Sequence, residues 1–160
     1  MKIVQLLRQH AGDIVDEASK ALRSRVKRFE DVEVLQRTTQ RYRKVFDLIV
    51  ESIAKRDVGP LLTWSKELAE RQFSAGHDLS EVQTAINALE EALWKRLLDV
   101  LDPSEFAKAI GAVSTVLGLS KDMIARTYVS LASHQRAPSL DMSRLFSGTQ
   151  LGDTDTLDES

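Results

Sequence analysis

The sequence predicts an all-α fold made of five helices. Apolar residues recur at spacings of three and four, proline and glycine fall almost only where these patterns break, and no segment alternates apolar and polar residues as a strand would. Of the 160 residues, 42% are hydrophobic but only 6% are aromatic, and none is cysteine. We therefore expect a single domain with an aliphatic core and without disulfide bonds.

The first two predicted helices are long. The first covers residues 3–26 and presents one apolar face that includes Leu7, His10 and Leu22. The second follows the charged segment 27–31 and carries apolar residues at nearly heptad spacing. It ends before Gly59 and Pro60, because proline cannot continue a helix but fits the first turn of the next one.

The corners between the later helices are marked by local signals. The third predicted helix stops at Gly76, since glycine adopts the left-handed conformation most readily. Asp78 and Glu81 have the spacing of a capping box and predict the start of the fourth helix. Asp102 followed by Pro103 predicts the start of the fifth, which should run to residue 134.

Gly111 and Gly118 lie inside the fifth predicted helix. They are seven positions apart and therefore lie on nearly one side of it. Either they let another backbone approach closely, or they only weaken an exposed face of the helix.

The helical pattern stops near residue 136. Residues 136–160 carry five acidic and two basic side chains and are rich in Gly, Ser and Thr. A segment of this composition cannot bury enough apolar surface to offset the entropy of ordering it. The sequence thus predicts a helical domain over residues 1–135 and a disordered acidic tail over residues 136–160.

Charge and hydropathy argue against membrane and nucleic-acid partners. The apolar runs are far shorter than the roughly 20 residues that cross a bilayer, and the first residues lack the apolar core of a signal peptide. The net charge is −2. The basic concentration around residues 23–28 is more typical of a solvated helix end, paired with Glu30, Asp31 and Glu33, than of a phosphate-binding surface. We expect a cytoplasmic protein.

The sequence offers no clear catalytic, cofactor-binding or metal-binding residues. His10, His77 and His134 lie far apart in sequence and in no metal-ligand spacing. Carboxylate pairs such as Glu90 and Glu91 point in different directions on a helix, and no phosphate-binding loop or nucleophile elbow occurs. We therefore expect a protein that is not an enzyme and that needs no cofactor.

Three aromatic residues, Tyr42, Trp64 and Trp94, fit either a core or an interface. Core packing is the common role of such residues. The alternative is that one of them anchors a partner protein.

The segment 64–89 resembles the middle of the RsbRD-type N-terminal sensor domain, the RsbT co-antagonist N-terminal domain family. The resemblance is carried by Arg71, Gly76, Leu79, Ser80, Glu81, Val82, Ala85 and Leu89. It implies an antiparallel helical bundle, globin-like without haem in some members, that dimerises and serves as an input module in bacterial stress or two-component signalling. Members typically continue into an output domain where this chain has an acidic tail, which implies a stand-alone partner or regulatory subunit.

Three functional hypotheses follow. The first is a regulatory domain that forms a homodimer and binds a signalling protein through helix faces. The second is a small-ligand sensor with a cavity near Tyr42, Trp64 and Trp94. The third is a histidine-phosphotransfer-like bundle that uses His10. Around the Gly76 corner, Arg71 and Glu81 are expected to be a fold-defining pair.

Overall fold

The computed structural model describes the backbone of residues 2–158 and the side chains of residues 2–135. Its helices are α1 (Lys2–Gln9), α2 (Ala11–Arg25), α3 (Val32–Lys55), α4 (Gly59–Ser74), α5 (Leu79–Val100) and α6 (Pro103–Asp158), with a 3₁₀ turn (Lys27–Glu30) between α2 and α3. The described backbone contains no strand. The all-α prediction is confirmed.

The structure has six helices in this range instead of five, because the first predicted helix is divided at His10. The backbone of His10 has φ −103° and ψ 12°. The His10 amide still donates to Leu6 at 3.1 Å, and the Ile14 amide donates to the His10 carbonyl at 3.0 Å. The division is therefore a local bend, and it lets α1 pack mainly on α3 while α2 packs on both α3 and α5.

Five helices close a ring in which α2, α3, α4, α6 and α5 each pack on the next, and α5 packs on α2. Strict alternation of direction is impossible in a ring with an odd number of members, so one neighbouring pair must run parallel. That pair is α4 and α6: Ser65 lies 2.7 Å from Ser120, and eight residues further along both helices Phe73 stacks edge to face on Tyr128. The bundle is thus antiparallel except at this pair.

The core at the centre of the ring is aliphatic, as predicted. Its largest fully buried side chains come from all six helices and include only one aromatic residue; they are Leu7, Ile14, Leu22, Val45, Phe46, Ile49, Leu61, Leu89, Leu93, Leu97, Leu117 and Ile124. Burying one such side chain contributes about 1.5–3 kcal/mol. Tertiary burial of these apolar stripes therefore stabilises the helices far more than local propensity does.

The corner at Gly76 follows the predicted signal, whereas the cap of α3 was not predicted and the capping box of α5 does not form. Asp31 caps α3 by accepting the Glu33 amide at 2.9 Å. Gly76 ends α4 with φ 83°, which confirms the predicted corner. Asp78 occupies the cap position of α5 but makes no side-chain cap bond. The predicted capping box is wrong because the Glu81 carboxylate is taken by a different partner, described below.

The last helix extends beyond its predicted end. The backbone of α6 continues to Asp158, so the structure gives no support to the disordered tail predicted over residues 136–160, although the side chains of that segment lie outside the described residues. Gly111 and Gly118 are exposed, and a methyl group added to either would meet no atom within 4 Å. No other described segment of this chain therefore packs closely against either glycine. None of the helices described here is both long and apolar enough to cross a membrane.

Candidate functional site

The Gly76 corner is held by an ion pair between distant parts of the chain. Arg28, in the 3₁₀ turn, donates to the carboxylate of Glu81 at the start of α5. A second guanidinium nitrogen of Arg28 lies 3.3 Å from Nε2 of His77. The side chains of Arg28 and Glu81 are only 34% and 25% exposed. This pair joins the turn after α2 to the corner between α4 and α5.

Arg71 is not the partner of Glu81. Its side chain is exposed on α4. Arg71, Arg37 and Arg28 each lie close enough to Arg41 to repel it, and we call these four residues the arginine cluster. Burial and repulsion from the other three arginines lower the pKa of Arg41. Sequence reasoning missed Arg28, because it assigned the basic segment to a solvated helix end. Helix periodicity carries no signal for a contact between residues 53 positions apart.

Tyr42 and Trp64 lie beside the arginine cluster, on a small cavity of about 50 Å³. Tyr42 is buried, and its hydroxyl donates to the Ala85 carbonyl at 2.6 Å. Burial raises the pKa of the Tyr42 phenol. A cavity of this size has room for a water molecule or two but not for a drug-sized ligand.

Trp94 does not lie near that cavity. It is 41% exposed on the outer face of α5, and Leu98, one helical turn further along, is 58% exposed. The prediction of one ligand cavity near Tyr42, Trp64 and Trp94 is therefore wrong. Two of the three residues are core or partly buried residues, and the third is on the surface because its helix position faces away from α2 and α6.

The exposed side chains of Trp94 and Leu98 form a small apolar area that we call the α5 surface. Charged residues surround it. Glu91 binds Arg25 at 2.6 Å, and Lys95 lies 3.7 Å from Glu17. An exposed apolar area with a polar rim is typical of a protein-binding surface.

A much larger cavity lies beside the N-terminal end of α1, whereas His10 follows the other end of this helix. It has a volume of about 620 Å³, is open to solvent on one side, and lies between the start of α1, the end of α3 and the first part of α6, up to Val116. Ile3, Ile53 and Val116 contribute to its apolar wall, while Arg56 and Lys108 stand on its rim. We call it the α1/α3/α6 cavity. No single sequence segment could reveal it, because its walls come from three helices.

The three histidines remain apart in the structure. His10 lies at the bend between α1 and α2, His77 at the Gly76 corner, and His134 on the exposed part of α6. Among the described side chains, no group of three or more His, Asp or Glu residues is arranged to hold a metal ion. Several charged residues instead form ion pairs between helices, as Arg8 of α1 does with Glu51 of α3 at 2.8 Å.

Comparison with known families adds a direct finding. A family model described as the RsbT co-antagonist protein rsbRD N-terminal domain matches residues 12–137. The match covers most of the chain and includes every element from α2 to the middle of α6. No curated protein and no solved structure matches the chain.

Proposed function

Because the chain belongs to the RsbT co-antagonist protein rsbRD N-terminal domain family, a group of signalling regulatory domains of stress-response pathways, we propose that it works by pairing with a second copy and binding a signalling protein. In this proposal it is a cytoplasmic, non-enzymatic domain whose helix surfaces transmit the signal. The α5 surface is the interface between the two copies.

The exposure of Trp94 and Leu98 supports this proposal. Both side chains are large and apolar, and they lie one helical turn apart on the same face. Trp is among the residue types that contribute most to binding when an interface covers them. Neither side chain belongs to the buried core, and each leaves a large apolar area exposed on the described part of the chain.

The charges around the α5 surface favour a second copy as the occupant. Exposed Lys95 and Asp99 follow Trp94 and Leu98 by one position each, so the surface carries both signs of charge. In a two-fold interface each residue of one copy faces residues of the same surface on the other. A rim with both signs of charge therefore allows opposite charges of the two copies to face each other.

Sedimentation equilibrium tests the pairing. We expect a dimer for the native chain and a monomer for Trp94→Glu/Leu98→Glu, because two carboxylates cannot be buried at the interface without partners. Val32→Glu is the matched control, since Val32 is 67% exposed at the start of α3, away from the α5 surface. A native chain that stays monomeric at high concentration would contradict the proposal.

The α1/α3/α6 cavity favours a second function, small-ligand sensing. Its volume of about 620 Å³ falls within the range of about 300–1,000 Å³ that is typical of small-molecule sites. A ligand that binds only the folded chain raises its melting temperature. Native mass spectrometry of the purified protein, followed by a thermal-shift screen, should reveal such a ligand; its absence in both measurements would exclude this function.

A further inference from the structure

The α1/α3/α6 cavity combines an apolar interior with a basic rim. Its wall is made by the aliphatic side chains Ile3, Ile53, Val58, Leu101, Ala109 and Val116. The hydroxyl of Ser52, which also faces the cavity, already donates to the Leu48 carbonyl at 2.7 Å. Thr115 also lines the cavity, at an exposed position. The lining is therefore mainly apolar and suits a hydrocarbon chain better than a polar ligand.

The rim of the cavity carries more basic than acidic residues. Lys2, Arg56 and Lys108 are basic, and Glu105 is the one acidic residue of the lining. Lys2 lies 2.9 Å from the carboxylate of Glu105, so these two charges offset each other. Arg56 and Lys108 form no ion pair with any other residue whose side chain is described. Two exposed cations are left at the mouth of an apolar cavity.

The backbone conformation of Arg56 is also unusual. It ends α3 in the left-handed conformation, with φ 52°, which a residue other than glycine rarely adopts. Its amide donates to the Ser52 carbonyl, which fixes the end of the helix beside the cavity. The guanidinium is therefore carried by a turn of defined geometry at the rim.

We propose that this cavity binds a single-chain amphiphile with an anionic head group, of which a medium-chain carboxylate is the simplest example. The hydrocarbon chain occupies the apolar interior, and the carboxylate lies at the rim between Arg56 and Lys108. Charge-assisted hydrogen bonds to arginine and lysine select an anion over a neutral or cationic head group. This inference rests on the ligand-sensing function proposed above and names its ligand class.

Isothermal titration calorimetry of the full chain with decanoate, below its micelle concentration, tests the inference. We expect one molecule per chain, and an affinity that rises about fourfold for each methylene added from octanoate to dodecanoate. Ala112→Phe should abolish binding, because Ala112 lines the cavity at a partly exposed position where a larger side chain fills it. Ala107→Phe is the matched control on an exposed position of the same helix and should bind normally.

The head group is tested separately. Decanol should bind at least about fivefold more weakly than decanoate, and decyltrimethylammonium more weakly still. Arg56→Gln/Lys108→Gln should weaken decanoate by about fivefold or more and leave decanol unchanged. Lys44→Gln/Lys66→Gln removes the same charge from exposed positions away from the cavity and should have no effect.

The outcomes separate the two proposals. Equal binding of decanoate, decanol and the cationic amphiphile would overturn the anionic head group but keep ligand sensing. Decanoate binding that survives Ala112→Phe would overturn the assigned location. If no amphiphile binds, the inference is wrong, and ligand sensing then depends on whether another ligand co-purifies with the chain.

Discussion

Tyr42 ties α3 to α5 through a buried phenol, and its ionisation gives a prediction at the scale of a single residue. Burial raises the pKa of Tyr42 above its ordinary value of 10.0. The neutral phenol is therefore favoured in the folded chain. Below pH 10, the pKa of the phenol in the unfolded chain, Tyr42 is neutral in both states and its full contribution to the free energy of unfolding is present. Above pH 10 the phenol ionises readily only in the unfolded chain, so this contribution is lost as the pH rises.

The prediction is tested in Tyr128→Phe, where Tyr42 is the only tyrosine. Alkaline titration should show tyrosinate absorbance only when circular dichroism shows loss of helix. Tyr42→Phe, which removes the bond to the Ala85 carbonyl, should lower the free energy of unfolding at neutral pH by about 1 kcal/mol. Tyrosinate that forms near pH 10 in fully helical protein would disprove the assignment.

The ion pair at the Gly76 corner gives a second prediction at this scale. Glu81→Ala leaves the part-buried Arg28 guanidinium without its carboxylate and should lower the free energy of unfolding by about 1–2 kcal/mol. Arg71→Ala should change it by less than about 0.5 kcal/mol, since Arg71 is exposed. Urea denaturation measures both. If Arg71→Ala is the more destabilising change, Arg71 has the fold-defining role that the sequence suggested for it.

At the scale of the element, helix ends marked by glycine or proline were predictable, and helix partners were not. Gly76, the Gly59 and Pro60 pair and Pro103 mark real boundaries, because the conformational limits of glycine and proline act locally. The break at His10 was missed because the apolar face continues through it. The spacing of Asp78 and Glu81 predicted a capping box that does not form. A distant residue, Arg28, binds the Glu81 carboxylate instead.

Two glycine substitutions test the elements directly. Gly118→Ala should stabilise α6 by about 0.5–1 kcal/mol, since the added methyl group meets no atom and reduces the entropy of the unfolded chain. Gly76→Ala should destabilise the chain by about 1–2 kcal/mol, because φ 83° is strained for a residue with a side chain. Thermal unfolding of both variants is the measurement, and a destabilising Gly118→Ala would indicate an unseen contact at that face.

At the scale of the whole molecule, the closure of the helix ring determines which helices are neighbours, and this could not be predicted from the sequence. The order of neighbours and the parallel pairing of α4 and α6 depend on contacts such as Ser65 with Ser120, which no local pattern encodes. Of the aromatic candidates, only the structure could separate the exposed Trp94 from the buried Tyr42, because both fit the apolar pattern of their helices. The α1/α3/α6 cavity was not foreseen, because it exists only where three helices meet.

The central claim, that two copies pair through the α5 surface, is tested most directly by crosslinking. The chain contains no cysteine, so Leu98→Cys and Val32→Cys each introduce a single thiol. With a short bismaleimide, Leu98→Cys should give a covalent dimer rapidly and in high yield. Val32→Cys, at a position that is more exposed (67% against 58%) but on another helix, should not. Equal and slow crosslinking of the two variants would contradict the account.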